Sequence, residues 1–241
     1  MDGIAYIMAT KQNASLQHLE AVSNNIANAN TTGFKQDGIV FEQYLVRDAK
    51  EKTAYGTIYS TMSDMKGGGF KTTMRDLDLA LKGSGFFLIM TPLGVRYTRN
   101  GSFHLNEEKK LVNGSGYPVL TSDGQELVFE EEDKDPIIGE DGSIFIKDAK
   151  RGIIGVIEFE NPNLLRKFGN GLFSSDVDGQ PAINTTVQQG VLEESNVNSV
   201  EQITKLIEIN REVTLSTNMI NDYYSSQRSM FKSVARLGGN S

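Results

Sequence analysis

Along the first thirty residues one stripe of positions recurs in alternating steps of four and three: Met1, Ala5, Met8, Gln12, Ser15, Leu19, Val22, Ile26 and Ala29. That period belongs to a long helix with a coiled-coil-like seam. Neither Pro nor Gly interrupts the run from Ile4 to Ala29. Thr31-Thr32-Gly33 is predicted to end it, because β-branched residues favour extended backbone and Gly supplies the positive φ of a C-cap. The stripe is thin, since Gln12 and Ser15 stand on it, and a helix that buries so little needs partners to persist. Four Asn between Asn24 and Asn30 add side-chain amides suited to hydrogen bonds between neighbouring helices.

The same period returns after Gly190 and holds to Leu237. One seam runs through Leu206, Ile209, Val213, Ser216, Ile220, Tyr223, Gln227, Met230, Val234 and Leu237. A second, through Ile203, Leu206, Asn210, Val213, Thr217, Ile220, Tyr224, Gln227, Phe231 and Val234, shares half of its positions. Two overlapping seams make a stripe wider than a two-stranded pairing fills. Ser199 and Gln202 have the spacing of a capping box. A helix from Val200 to Leu237 would span ~57 Å at ~1.5 Å per residue.

Between the helices the period changes. From Phe34 to Met74, Tyr44, Tyr55, Ile58, Tyr59 and Met62 alternate loosely with polar residues and lead into Gly67-Gly68-Gly69; extended arms and a flexible joint are predicted. From Leu77 to Val191 short strands are predicted, with Phe86–Met90 and Ile153–Phe159 as buried ones. Asn100-Gly101, Asn113-Gly114, Asp123-Gly124, Asp141-Gly142, Asn170-Gly171 and Asp178-Gly179 reach the left-handed backbone values of tight turns. The expected fold class is α+β. Long N- and C-terminal helices (1–33 and 197–241) form a coiled-coil-like bundle, 34–75 is an extended β linker, and 76–196 is an inserted all-β domain, barrel or sandwich.

Composition removes several chemistries. The chain has 241 residues and no Cys, so disulfides, thiol nucleophiles and Cys-based zinc sites are excluded. The net charge of −7 is local: eight acids and one Lys between Glu126 and Asp141 already sum to −7. With no basic stripe, nucleic acid is not an expected partner. No apolar run reaches the ~20 residues of a membrane span. The N-terminus has no basic-then-apolar secretion signal.

Candidate chemistry is sparse. His18 and His104 have no neighbouring acid at metal-ligand spacing. Asp76 and Asp78 alternate as if on one strand face and could act as paired carboxylates; the structural reading is that they hold a turn and pair with Arg75 or Arg99. The run from Glu130 to Asp135 lacks the order of a calcium loop, and Gly83-Ser84-Gly85 lacks the Gly-Lys-Ser/Thr of a phosphate loop. No catalytic residue, cofactor or metal is expected.

Four stretches resemble the flagellar axial proteins that build rod and hook. They are Ser23-Asn24-Asn25-Ile26-Ala27-Asn28-Ala29-Asn30-Thr31-Thr32-Gly33-Phe34-Lys35; Asp76-Leu77-Asp78-Leu79-Ala80-Leu81 with Gly83-Ser84-Gly85-Phe86-Phe87; Tyr97-Thr98-Arg99-Asn100-Gly101-Ser102-Phe103; and Gly190-Val191-Leu192-Glu193-Glu194-Ser195-Asn196-Val197-Asn198. The opening residues and the short length resemble proximal-rod members more than distal-rod ones. The resemblance implies a non-enzymatic rod subunit, exported unfolded by the flagellar type III apparatus without a cleaved signal peptide. It would assemble in the periplasmic basal body with copies of itself and neighbouring rod proteins, its helices lining a tube that carries torque and the export channel. The alternatives are a distal-rod or other hook and rod protein and, from another class, a secreted peptidoglycan-acting enzyme. The residues expected to carry assembly are Met8, Leu19, Val22, Asn24, Asn25, Ile26, Asn28, Asn30, Ile203, Leu206, Val213, Ile220, Met230 and Val234.

Overall fold

A computed structural model describes residues 3–47, 52–130, 136–147 and 149–238, the side chains of 3–7, 41–47, 52–60, 231 and 233–238 excepted. Helix α1 (Gly3–Ala27) opens the chain and α2 (Ser199–Gly238) closes it, with β-strands between. The chain divides into two compact units. One gathers α1 up to Ile26, the segment Asp37–Met62 and the chain from Asn198 onward; the other gathers Ala27–Gln36 and Ser63–Val197.

In the helical unit, α1 and α2 lie side by side and antiparallel. Gln12 Nε2 donates to Thr217 Oγ1 at 3.4 Å and Asn25 Nδ2 to Gln202 Oε1 at 3.3 Å, so numbers rise along one helix as they fall along the other. The facing positions are small or polar: Ser15, Asn25, Gln202 and Ser216 are buried, together with Val22 and Ile209. Strands β1 (Asp37–Arg47) and β2 (Lys52–Ser63) pair as a two-stranded sheet.

Helix α1 stops earlier than its periodicity suggests. It ends at Ala27, and Asn28–Gly33 form turns, so Gly33 does not cap it. Gly33 is left-handed (φ 66°) because of what it touches in the second unit, described below. At the start of α2 the cap is also displaced: Asn198 Oδ1 accepts from Val200 N (3.2 Å) and Glu201 N (3.3 Å). Asn at this position satisfies helix donors as Ser would, and Gln202, no longer needed for a capping box, turns inward to Asn25.

The β unit has a six-stranded sheet, a three-stranded one and several two-stranded ones. Its central strand, Phe86–Thr91, pairs with Gly94–Thr98 on one side and Val156–Glu158 on the other. It is apolar from Phe86 to Met90 because it separates two apolar layers. Phe87 and Ile89 enter the main core with Leu79, Leu81, Phe103 and Ile154; Phe86 points the other way, among Leu165, Phe173, Tyr97 and Phe159, as strand alternation requires. The stretch expected as one buried strand, Ile153–Phe159, is instead two strands in different sheets. The break falls at Gly155, where a Cβ would sit 2.7 Å from Leu88 Cδ1 and 2.8 Å from Thr121 O. Asn170 and Gly171, with φ of 51° and 71°, form the tight turn joining Arg166–Gly169 to Leu172–Ser174.

Candidate functional site

Two features stand out, one in each unit. In the helical unit α2 has two apolar faces, and only one is used. Leu206, Ile209, Val213, Ser216, Ile220, Tyr223 and Gln227 are buried or half-buried, which is the first of the two seams as far as Gln227; Thr217 of the second seam is half-buried with them and bonds Gln12. Ile203 and Tyr224, from the second seam, are exposed, together with Ile207 (49% exposed), Leu215 (62%) and Met219. On a helix of 3.6 residues per turn, Ile203, Ile207 and Thr214 share the side opposite Ile209 and Ser216. A row of branched side chains left in water is an unfinished surface.

The remaining assembly candidates divide in the same way. Met8, Leu19 and Ile26 are half-buried on α1 and Val22 is buried, while Met230 is exposed. Val234 lies in α2, with its side chain outside the described ones. Asn25 is sealed within the chain: its Oδ1 accepts from Asp37 N and its Nδ2 donates to Asp37 O, both at 2.8 Å. Asn24 is exposed and donates to Asp37 Oδ2. In the β unit, Asn28 Oδ1 accepts from Thr31 Oγ1 and Asn30 is exposed.

In the β unit the four family-like stretches of the sequence meet at one place. Lys35, fully enclosed, donates to Glu193 Oε1 at 2.6 Å and to Lys66 O at 2.7 Å. Glu193 Oε1 also accepts from Gly68 N, while its Oε2 lies 3.6 Å from Arg99 Nη1. Arg99 donates to Leu81 O and Gly83 O and stacks over Phe86. Beside this triad Asn196 takes a backbone donor from Gln36 at 2.7 Å and gives its own amide to Asp64 O and Lys66 O. Gly33 closes the set: its N–H donates to Glu193 O at 2.8 Å, and a Cβ there would stand 2.5 Å from Arg99 C and Asn100 N.

The electrostatics follow from enclosure. Burial pushes the Lys35 ammonium below its usual range, opposed by Glu193 and reinforced by Arg99. Burial likewise lowers the Arg99 guanidinium, opposed by Glu193 and Glu158. One carboxylate thus serves two desolvated cations, and the backbone carbonyls supply the remaining acceptors. This is structural chemistry: each of the three charged side chains is paired inside the fold, although Arg99 Nε and Glu193 Oε2 themselves make no hydrogen bond. No spacing rule flagged Lys35, Arg99 or Glu193; the available signal was that each stands inside one of the family-like motifs.

The residues weighed for catalysis do not converge. Asp76 is exposed in a turn and precedes the strand, whereas Asp78 is buried against Arg75 Nη2 at 2.6 Å; the expectation that both share one strand face is corrected by the strand beginning at Leu79. His104 is exposed on Phe103–Leu105. His18 lies on α1 facing Lys205 and Glu212 of α2. Of the acidic run, Glu130 pairs with Arg151 at 3.0 Å, and residues 131–135 lie outside the described ones.

Three stretches match family descriptions. Residues 8–35 match "Flagella basal body rod protein", 80–146 match "Flagellar hook protein FlgE/F/G D1 domain", and 188–237 match "Flagellar basal body rod FlgEFG protein C-terminal". The chain is 33% identical to the flagellar basal-body rod protein FlgF of Caulobacter vibrioides, over 99% of each chain. It is 31% identical to FlgF of Rhizobium meliloti over 97% of each. With the rod protein FlgG of Bacillus subtilis the identity is 34%, over 78% of this chain and 83% of that protein.

Proposed function

Since this chain belongs to the flagellar basal-body rod protein family, is most like its FlgF members and is therefore a structural subunit of the rod, we propose how it builds that rod. Copies of the chain, with neighbouring rod proteins, pack their terminal helices into a shared bundle at the proximal part of the rod. The observation that carries this reading is the unused apolar face of α2, Ile203, Ile207 and Leu215. Fully burying each such side chain stabilises by about 1.5–3 kcal/mol, so several of them in every copy bind strongly once neighbours gather. The assembly residues named from the sequence act here in two groups. Val22, Leu206, Val213 and Ile220 hold α1 to α2 within a chain, and Ile203 and Met230 face neighbouring chains. A bundle whose helices interlock from chain to chain resists twist, which suits a periplasmic drive shaft around an export channel. The family is one of structural subunits, so no catalytic role is assigned to Asp76 or Asp78. Type III export belongs to the same reading.

The test places a charge on the free face. Ile203→Asp and Ile207→Asp alter residues already in contact with water, so helical content and thermal unfolding of the isolated chain stay within about 0.5 kcal/mol of the parent. Incorporation into basal bodies and swimming are lost, because a carboxylate would be buried without a partner. Normal swimming with both substitutions present overturns the proposal.

A further inference from the structure

The β unit carries a second surface that the helix packing does not use. A groove of about 620 Å³ runs between the segments 158–164 and 175–184. Its apolar contacts are Leu164 (61% exposed), Val177 (59%) and Ile183 (86%), three large side chains held in water beside one another. Its charged lining is of one sign: Glu158, Glu160 and Asp178, with no Lys or Arg among the lining residues. Glu158 is fixed in place, since its Oε1 accepts from Thr185 Oγ1 at 2.5 Å, and Thr185 Oγ1 accepts in turn from Gly85 N. Asp178 lies near enough to the buried side of the groove to add to the upward push that burial gives the Tyr97 phenol. The cation Arg166 pairs at 3.0 Å with Asp176, which stands in the 175–184 wall but is not among the groove's lining residues.

We infer that this groove docks a polypeptide segment of another basal-body protein, one that presents an apolar side chain flanked by Lys or Arg. The choice of occupant rests on charge. Three carboxylates facing one space repel phosphate, and so repel nucleic acid and anionic lipid. Among the described residues no group of His, Cys, Asp or Glu is arranged to hold a metal ion, and the exposed Leu, Val and Ile suit an apolar anchor. Basic groups on either side of that anchor then pair with Glu160 and Asp178 at the rim, where such contacts set partner choice and association rate. The segment's backbone gains little from the adjoining sheet edge, because the outermost strand is only Gln180–Pro181 and Pro offers no donor.

The experiment uses the full chain in living, flagellated cells, with the photo-reactive residue benzoylphenylalanine at Val177. Whole-cell irradiation followed by peptide mapping is expected to give one adduct, to a protein other than this chain, with Lys or Arg within a few residues of the linked position. The same residue placed at Leu93, exposed outside the groove, gives no such adduct. Glu160→Lys with Asp178→Lys is expected to lower the Val177 adduct at least about fivefold. If that pair disturbs folding, Glu160→Gln with Asp178→Asn lowers it in the same direction by a smaller factor. No adduct, an adduct only to a second copy of this chain, an adduct to a segment without basic residues, or an adduct unchanged by charge removal overturns the inference. The presence of the chain in purified basal bodies is scored separately by immunoblot; its absence would sink the rod packing while leaving the whole-cell cross-link to decide the groove.

Discussion

Lys35 and Glu193 stand 158 positions apart in the chain, yet Lys35 Nζ and Glu193 Oε1 lie 2.6 Å from each other with both side chains closed off from solvent. The contact joins the segment that follows α1 to the one that precedes α2, both inside the β unit. Because Arg99 also faces Glu193, the single carboxylate balances two cations. Removing its charge should therefore be the worst change at this place. Glu193→Gln leaves two desolvated cations without a counter-charge, and the loss of unfolding free energy is expected to be about 3–5 kcal/mol. Urea unfolding of the purified chain measures it, and a loss under about 1 kcal/mol would remove the charge-balance argument.

Lys35→Met tests the same balance from the other side. Arg99 remains to compensate Glu193, so the cost is mainly the lost hydrogen bonds to Glu193 Oε1 and Lys66 O, about 1–3 kcal/mol. The order matters more than either number: Lys35→Met must be milder than Glu193→Gln. If it proves the harsher of the two, Arg99 is not sharing the carboxylate.

Much of the architecture was legible in the chain because it is written in local periods. Both helices follow from the three-four spacing, and the central strand from an unbroken apolar run. The two overlapping seams of the C-terminal helix were also legible as a pair, but not which would face α1. That choice depends on the partner surface: Gln12 and Asn25 of α1 bond Thr217 and Gln202, Ile209 and Ser216 of the first seam are buried, and Ile203 and Ile207 are left outside. The ion triad was not legible, since no short-range pattern links Lys35, Arg99 and Glu193. The break at Gly155 was hidden for a similar reason: it is imposed by Leu88 and Thr121, which the local sequence does not reveal.

A pair of helices held by polar contacts should open more readily than a strand between two apolar layers. In dilute monomer, amide hydrogens of α1 from residue 8 to residue 26 are expected to exchange far faster than those of Phe86–Thr91. The reason is the seam itself, in which Ser15, Asn25, Gln202 and Ser216 occupy buried positions where larger apolar groups would have bound more tightly. Equal protection in the two regions would show that the helices need no neighbours.

His18 gives that pairing a pH dependence. Its pKa is lowered from 6.5, first by burial and then by Lys205, with Glu212 opposing. A lowered folded-state value means that the separated helices bind the proton more readily than the paired ones. Pairing is therefore stronger above pH 6.5 and weakens as pH falls from 6.5 toward the folded value. Hydrogen exchange of α1 at pH 7.5 and pH 5.5, corrected for intrinsic rates, should show more frequent opening at the lower pH. His18→Gln should abolish the part of that difference due to imidazole, and an unchanged difference would assign it to other groups.

Gly33 is the position where backbone freedom is most demanded, and substitutions there separate two causes. Its φ is 66°, which an Ala tolerates at some cost, but the missing Cβ is also where the Arg99–Asn100 peptide sits, 2.5 Å away. Backbone cannot swing aside as a side chain can, so Gly33→Ala should destabilise by about 2–4 kcal/mol, combining conformational strain with overpacking. Gly114 supplies the contrast: nothing lies within 4 Å of its Cβ position and its φ is not positive. Gly114→Ala should thus be neutral or stabilising by up to about 1 kcal/mol, through the reduced freedom of the unfolded chain. Thermal unfolding of the two variants side by side decides the matter. A Gly33→Ala protein as stable as Gly114→Ala would mean that residues 31–35 do not dock on Arg99, and the Lys35–Glu193 contact, which depends on that docking, would lose its support.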